Sequence, residues 1–305
     1  MPEGYTHVRT ARRAAEALHI ELACPAAFAA GANGPDALFC YQILKSPRKR
    51  LYDLPGLGAR MHEEKTGAFV RCLTAGLTTR AQLEYALGFL SHYAADAVVH
   101  PYVAALCEPG MPYAGPGGHG CLEIALDSTL HAADTGVAAV PAADTSPLMK
   151  GPELAEVATL LHGALRGAYG EEVPVEYLAD AFYELYRVRR HFVARTPFKR
   201  GALAMLELFV GGRGFITAHL SPRQLKKDLP DRWINPFTGE TCQGNAFALL
   251  QEAQKRSEMY MTALLGWQMG RLPREKLVEL LGSASYTQGI ETADSRGADE
   301  TPAPV

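Results

Sequence analysis

The chain lacks most of the signatures that make a protein's chemistry easy to assign. Its six cysteines are Cys24, Cys40, Cys72, Cys107, Cys121 and Cys242, and no two form a C-x-x-C pair. That removes a zinc-ribbon or thioredoxin-type site and leaves buried, reduced thiols as the expectation. No apolar run approaches the roughly 18–20 residues that span a bilayer. The opening stretch, MPEGYTHVRTARRAAEALHI, has neither the apolar region nor the cleavage signature of a secretory signal, so the expected location is the cytoplasm. A net charge of −3 is too small for broad electrostatic capture of nucleic acid, and no stable nucleic-acid partner is expected. There is no G-x-x-x-x-G-K-[ST] phosphate loop and no fixed-period repeat. None of the ten histidines precedes an aspartate, which excludes an HD-type phosphohydrolase. The segment HEEKT from His62 lacks the second histidine of H-E-x-x-H, which excludes that metalloprotease motif.

Strand signals are also scarce, with no series of alternating β-branched runs between hairpin turns. What remains is helical periodicity over 305 residues, of which 48% are apolar. That is enough for a large core. The expected fold class is all-α, a single multi-helix domain over residues 1–286. Residues 287–305 are acidic, small and proline-containing, and read as a disordered tail.

Helices are expected over residues 7–22, 59–75, 119–133 and 245–268, with a loop over 54–58 and an exposed connection over 136–152. Thr78 or Thr79 caps a further helix, with Gln82 completing a capping box after Thr79. Pro101 is expected to kink or interrupt that helix. The basic runs KSPRKR (45–50) and RQLKK (223–227) are either solvated surface or a peripheral contact with anionic lipid.

Two triplets stand out. His92, Asp96 and His100 recur at steps of four, as do His119, Glu123 and Asp127. A step of four in a helix turns a side chain by about 40°, so each triplet shares one face over about two turns. Imidazole and carboxylate are zinc ligands, and four is the usual number per ion. One His–acid pair alone is most often a surface contact. Two triplets on apolar helices are different, because buried polar groups cost free energy unless satisfied. Asp96, between two histidines, suits a bridge between ions. Asp127 suits a role behind the ligands, orienting a ligand histidine. His7 at a helix start and Asp36 in a first helical turn have ordinary structural readings of their own, the latter through the helix dipole.

These pieces together resemble the zinc-dependent phospholipase C family, within the all-α phospholipase C/P1 nuclease superfamily. The resemblance rests on THV around His7, GPD ending at Asp36, MH ending at His62, HYAADAVVHP from His92 to Pro101, and HGCLE from His119 to Glu123. It covers roughly the first 130 residues. It implies a trinuclear zinc site, and two or three Zn2+ ions are expected in this chain. By position, His62, His92 and Asp96 would bind one ion together with Asp36. His100, His119 and Glu123 would bind a second, and His7 with Asp96 a third. Asp36 would also be the general base. Secreted members complete the third site with an N-terminal tryptophan. Here the chain begins Met1-Pro2-Glu3, so Pro2, exposed by methionine removal, is the candidate terminal ligand.

The expected activity is zinc-dependent hydrolysis of a phospholipid or a related small phosphodiester. A P1-type nuclease or nucleotide phosphodiesterase, or a metal-stabilised binding protein without turnover, are the alternatives. The head group and oligomeric state are left open.

Overall fold

The helix bearing His92, Asp96 and His100 runs unbroken from Arg80 to Cys107 through the middle of the molecule. The computed structural model describes residues 4–226 and 229–292. Among these, thirteen α-helices follow in order: α1 (Gly4–Ala17), α2 (Pro25–Ala32), α3 (Asp36–Phe39), α4 (Leu54–Glu63), α5 (Thr66–Ala75), α6 (Arg80–Cys107), α7 (Gly118–Thr135), α8 (Ala142–Thr145), α9 (Pro152–Tyr169), α10 (Val175–Phe192), α11 (Pro197–Glu207), α12 (Ala246–Gln268) and α13 (Arg274–Leu281). The fold is all-α. The only sheet among the described residues is the antiparallel hairpin β1 (Arg232–Ile234) and β2 (Thr241–Gln243).

α6 is buried on nearly every side, between α2 and α12. Its start is fixed by the capping box of Thr79 and Gln82, as the spacing predicts. Glu84, fully buried, accepts from the Ala23 and Cys24 N–H groups and so satisfies the start of α2. Gly31 and Gly88 let α2 and α6 touch backbone to backbone. A Cβ on Gly31 would fall 2.0 Å from the Tyr85 carbonyl oxygen, and one on Gly88 would fall 2.1 Å from that of Phe28. This approach brings the turn after α2, and hence Asp36, onto the His92 face of α6. On the other side, Ser91 and Ser257 share a hydrogen bond between α6 and α12.

Several local expectations need correcting. Pro101 does not interrupt α6. It leaves the Ala97 carbonyl without its helical partner, and Gly289 packs against that oxygen from the C-terminal segment. Residues 54–58 are helix rather than loop, because Asp53 accepts from Gly56 N–H and Pro55 suits the first turn. The helix expected over 59–75 is two helices, parted where Lys65 takes a left-handed conformation (φ 52°). α1 starts at Gly4 and ends at Ala17 rather than running to Leu22. The 136–152 connection is exposed at its two ends but not in its middle. Ala139, Val140, Thr145 and Met149 are buried, and the Thr145 carbonyl accepts from the Asn33 amide.

The segment after α13 also has a defined place. Ala284 pairs with Glu291, and Glu291 accepts from the Ser283 N–H and hydroxyl. Residues 287–292, which composition assigns to the tail, are therefore held against the body. The remainder of that tail, 293–305, lies outside the described residues, as does Pro2.

Candidate metal centre

Asp96 is the hub of a buried cluster. Its Oδ1 lies 3.2 Å from His7 Nε2 and 3.6 Å from His100 Nε2. Its Oδ2 lies 3.0 Å from His92 Nε2 and 3.7 Å from His62 Nε2. Asp36 Oδ1 is 3.2 Å from His62 Nε2. Glu123 Oε1 is 2.8 Å from His119 Nε2 and 3.3 Å from His100 Nε2. The eight side chains expected to hold metal thus converge from α1, α3, α4, α6 and α7. Seven of them are buried, while the His119 side chain is 45% exposed and marks the mouth.

The sequence explains how each group arrives. Asp36 follows a tight Asn33-Gly34-Pro35 turn. The Asn33 amide donates to the Ala29 and Thr145 carbonyls, and its oxygen accepts from buried Arg189. Gly34 takes φ +54°, with no room for a side chain against the His92 ring. Asp127 accepts from Tyr5 N–H, Thr6 N–H and the Thr6 hydroxyl. It therefore caps α1 and reaches His7 through the backbone of that helix.

Three histidines have their tautomer fixed from behind. His62 Nδ1 donates to Gly58 O at 2.7 Å, His92 Nδ1 to Ala32 O at 3.3 Å, and His100 Nδ1 to Tyr286 O at 3.0 Å. A carbonyl only accepts, so Nδ1 carries the hydrogen, and in the neutral ring Nε2 presents a lone pair. Those lone pairs face carboxylate oxygens, which are also acceptors. Accordingly His62 Nε2, His92 Nε2, His100 Nε2, both Asp36 oxygens, Asp96 Oδ2 and Glu123 Oε2 are buried without a hydrogen-bond partner among the described residues. Such an arrangement is costly unless a cation sits between the acceptors.

The spacing fits a metal. Ligands at about 2.0–2.2 Å in a tetrahedron lie about 3.3–3.6 Å from one another, within the spread of the separations above. Three sets have donor atoms within 4.8 Å of each other: His7, Asp36 and His92; His62, His92 and Asp96; and His100, His119 and Glu123.

Without metal, the charges have to be carried by protons. Burial opposes charging His100, but Asp96 and Glu123 outweigh it and raise its pKa to about 9. Burial likewise opposes charging His7, and Asp96 again prevails, so its pKa is raised. For His92 burial wins and the pKa is lowered. Burial alone would raise the Asp96 and Glu123 carboxyls. The surrounding imidazoles, His100 first for Asp96 and His119 first for Glu123, hold both well below the usual range.

The C-terminal segment contributes to this centre in a way that sequence reasoning missed. Tyr286 N–H donates to His62 O, and the Ser285 hydroxyl donates to the same oxygen. The Tyr286 carbonyl receives His100 Nδ1, and its ring packs on His62 and His92. No periodicity or motif marks residues 283–292. A lone buried-type Tyr in a small-residue stretch is the only available signal.

The zinc-dependent phospholipase C family profile matches residues 6–169, just over half of the chain. The chain belongs to the zinc-dependent phospholipase C family. No curated protein and no solved structure matches it. All eight expected ligands fall inside the matched span, whereas the Tyr286 segment lies outside it. Membership in the zinc-dependent phospholipase C family supports a zinc-dependent hydrolase acting on phospholipid phosphodiester bonds. Among the described residues, no helix is long and apolar enough to cross a membrane.

Proposed function

We propose that this protein hydrolyses the phosphodiester bond on the glycerol side of a phospholipid head group, using Zn2+ held by His7, Asp36, His62, His92, Asp96, His100, His119 and Glu123. The observation that carries this reading is the set of buried imidazole lone pairs aimed at buried carboxylates, in a chain of this family. We assign His62, His92, Asp96 and Asp36 to one ion and His100, His119 and Glu123 to a second. His7 and Asp96 supply a third site. The catalytic unit extends through residue 292, because the Tyr286 segment holds two of the histidines.

When bound, zinc supplies an acidified water and positive charge for the phosphate oxygens. The protein's own residues do the rest. The backbone carbonyls behind His62, His92 and His100 hold the hydrogen on Nδ1 and fix the direction in which Nε2 points. Asp36, buried beside His62, is the general base that accepts the proton of the attacking water. The cleft over the cluster is walled by Val99, Val103, Leu126 and Leu250 as well as by His7, His100 and Glu123. Those apolar walls exclude bulk water from the reacting phosphate. The products are a diacylglycerol and a phosphorylated head group.

The test is a panel of phosphatidylcholine, single-stranded DNA and bis-p-nitrophenyl phosphate, with and without zinc and with Asp36→Asn. The expected result is zinc-dependent release of a phosphorylated head group, lost in Asp36→Asn. Cleavage of DNA without lipid turnover would replace this reading with a nuclease, and no turnover with fully loaded zinc would replace it with a binding protein.

A further inference from the structure

α11 and the loop after it are organised the wrong way round for a surface helix. Phe198, Ala202 and Met205 recur at steps of four and three along one helical face, and Phe209 continues the stripe. That face is turned outward: Phe198 is 86% exposed and Phe209 82%. Leu206, Leu208 and Phe215 are exposed beside them. Single exposed apolar residues are ordinary, but six large ones within eighteen positions are not, and such patches mark interaction surfaces.

The charge around this patch is one-sided. Residues 187–226 contain nine Arg or Lys and a single carboxylate, Glu207, in a chain of net charge −3. Glu207 is buried and occupied internally, accepting from Ile216 N–H, Thr217 N–H and the Thr217 hydroxyl. Arg187, Arg190, Arg195, Arg213 and Lys226 are exposed. An apolar stripe flanked by exposed basic residues has the chemistry of a helix lying in the head-group region of an anionic bilayer.

The patch also borders the mouth of the metal centre. After the loop, the turn at 217–219 packs on α7. The His219 ring sits against Gly120, so closely that a Cβ there would fall 2.5 Å from it. Gly214 and Gly117 meet backbone to backbone, a Cβ on Gly117 falling 2.9 Å from Gly214 Cα. This is the N-terminal end of α7, where His119 is the most exposed of the proposed ligands.

We infer that α11 and the 208–215 loop form a docking face for an anionic phospholipid bilayer, which sets the open end of the metal centre against the membrane. This rests on the phospholipid reading of that centre.

The test uses the full zinc-loaded chain in an Asp36→Asn background, so that vesicles are not consumed. It is sedimented with phosphatidylcholine vesicles with or without phosphatidylserine. The expected result is partition onto the phosphatidylserine vesicles, reduced at high salt. Phe198→Asp with Phe209→Asp should weaken it by roughly tenfold or more, through loss of apolar burial. Arg195→Glu with Arg213→Glu should remove the preference for phosphatidylserine. A single Phe209→Trp should shift its emission to the blue on those vesicles. With Asp36 intact, both pairs of surface substitutions should leave hydrolysis of soluble bis-p-nitrophenyl phosphate unchanged. Absence of that hydrolysis in the unaltered chain would count against the proposed activity, while the vesicle measurement would still decide the docking face. Equal vesicle binding by the aspartate variant, unshifted emission from the Phe209→Trp variant, or a dimer that the aspartate variant converts to monomer without loss of vesicle binding would overturn the docking face.

Discussion

Gly34→Ala perturbs the centre without touching a proposed ligand, and its cost has two separable parts. Gly34 has φ +54°, and a Cβ there would lie 2.2 Å from His92 Cδ2 and 2.7 Å from Nε2. The first part is conformational: a left-handed backbone costs a non-glycine residue about 1–2 kcal/mol. The second is steric. His92 is fully buried and backed by Ala32 O, so relief requires moving either the ring or the turn that carries Asp36. Overpacking of this kind costs about 1–3 kcal/mol, and disturbing the support of a ligand lowers metal affinity about 10–100-fold. Gly136→Ala isolates the first part, because Gly136 has φ +79° with nothing within 4 Å of the added carbon. Thermal unfolding of the metal-free proteins should show both variants destabilised, Gly34→Ala more. Competition with a chromophoric chelator should show the affinity loss in Gly34→Ala alone. If the two variants bind zinc equally well, His92 is not a ligand held by this turn, and the reasoning fails.

Other expectations follow from the same geometry. Asp127→Ala removes the cap on Tyr5 and Thr6 at the start of α1. It should cost about 1–2 kcal/mol in denaturant unfolding, and an unchanged midpoint would contradict the capping role. Tyr286→Phe removes a hydroxyl that is buried without a partner among the described residues and should leave zinc affinity unchanged. Deleting residues 283–305 also removes the partners of His62 O and His100 Nδ1, and should lower affinity about 10–100-fold by chelator competition. His100, with its pKa raised from 6.5 to about 9, is protonated at neutral pH in the metal-free chain. Zinc needs the neutral imidazole, so loading should release protons near pH 7.5 and tighten as pH rises towards 9, as read by calorimetry in buffers of different ionisation enthalpy. By the same sign, the stability that His100 gains from its carboxylates is full below about pH 6.5 and fades as pH rises through about 9 in the metal-free protein.

The sequence made the within-helix part of the centre legible, and the reason is geometric. His92, Asp96 and His100 share a face because all three lie on α6, and His119 with Glu123 because both lie on α7. Spacing alone cannot bring His7, Asp36 and His62 to Asp96, since that depends on how α1, α3 and α4 pack on α6. Only the family resemblance points to them. Spacing likewise cannot show that Asp127, which keeps the step of four, lies where the start of α1 needs an acceptor. Pro101 misleads, because local propensity cannot see that Gly289 covers the carbonyl that proline leaves free. The hairpin of β1 and β2 leaves no periodic signal, its two strands being only three residues each. The Tyr286 segment is hidden for a related reason: its role lies in backbone groups, which every residue carries.

The central claim is that buried imidazoles and carboxylates, and not thiols, hold the metal. None of the six cysteines belongs to the clustered donor sets. X-ray absorption at the zinc edge on the purified chain, with zinc content measured on the same sample, addresses this most directly. The expected result is two or three zinc ions per chain with a nitrogen/oxygen shell at about 2.0–2.2 Å, lost stepwise in His62→Ala and His119→Ala. A sulfur shell at about 2.3 Å, or less than one tightly bound zinc per chain, would contradict it.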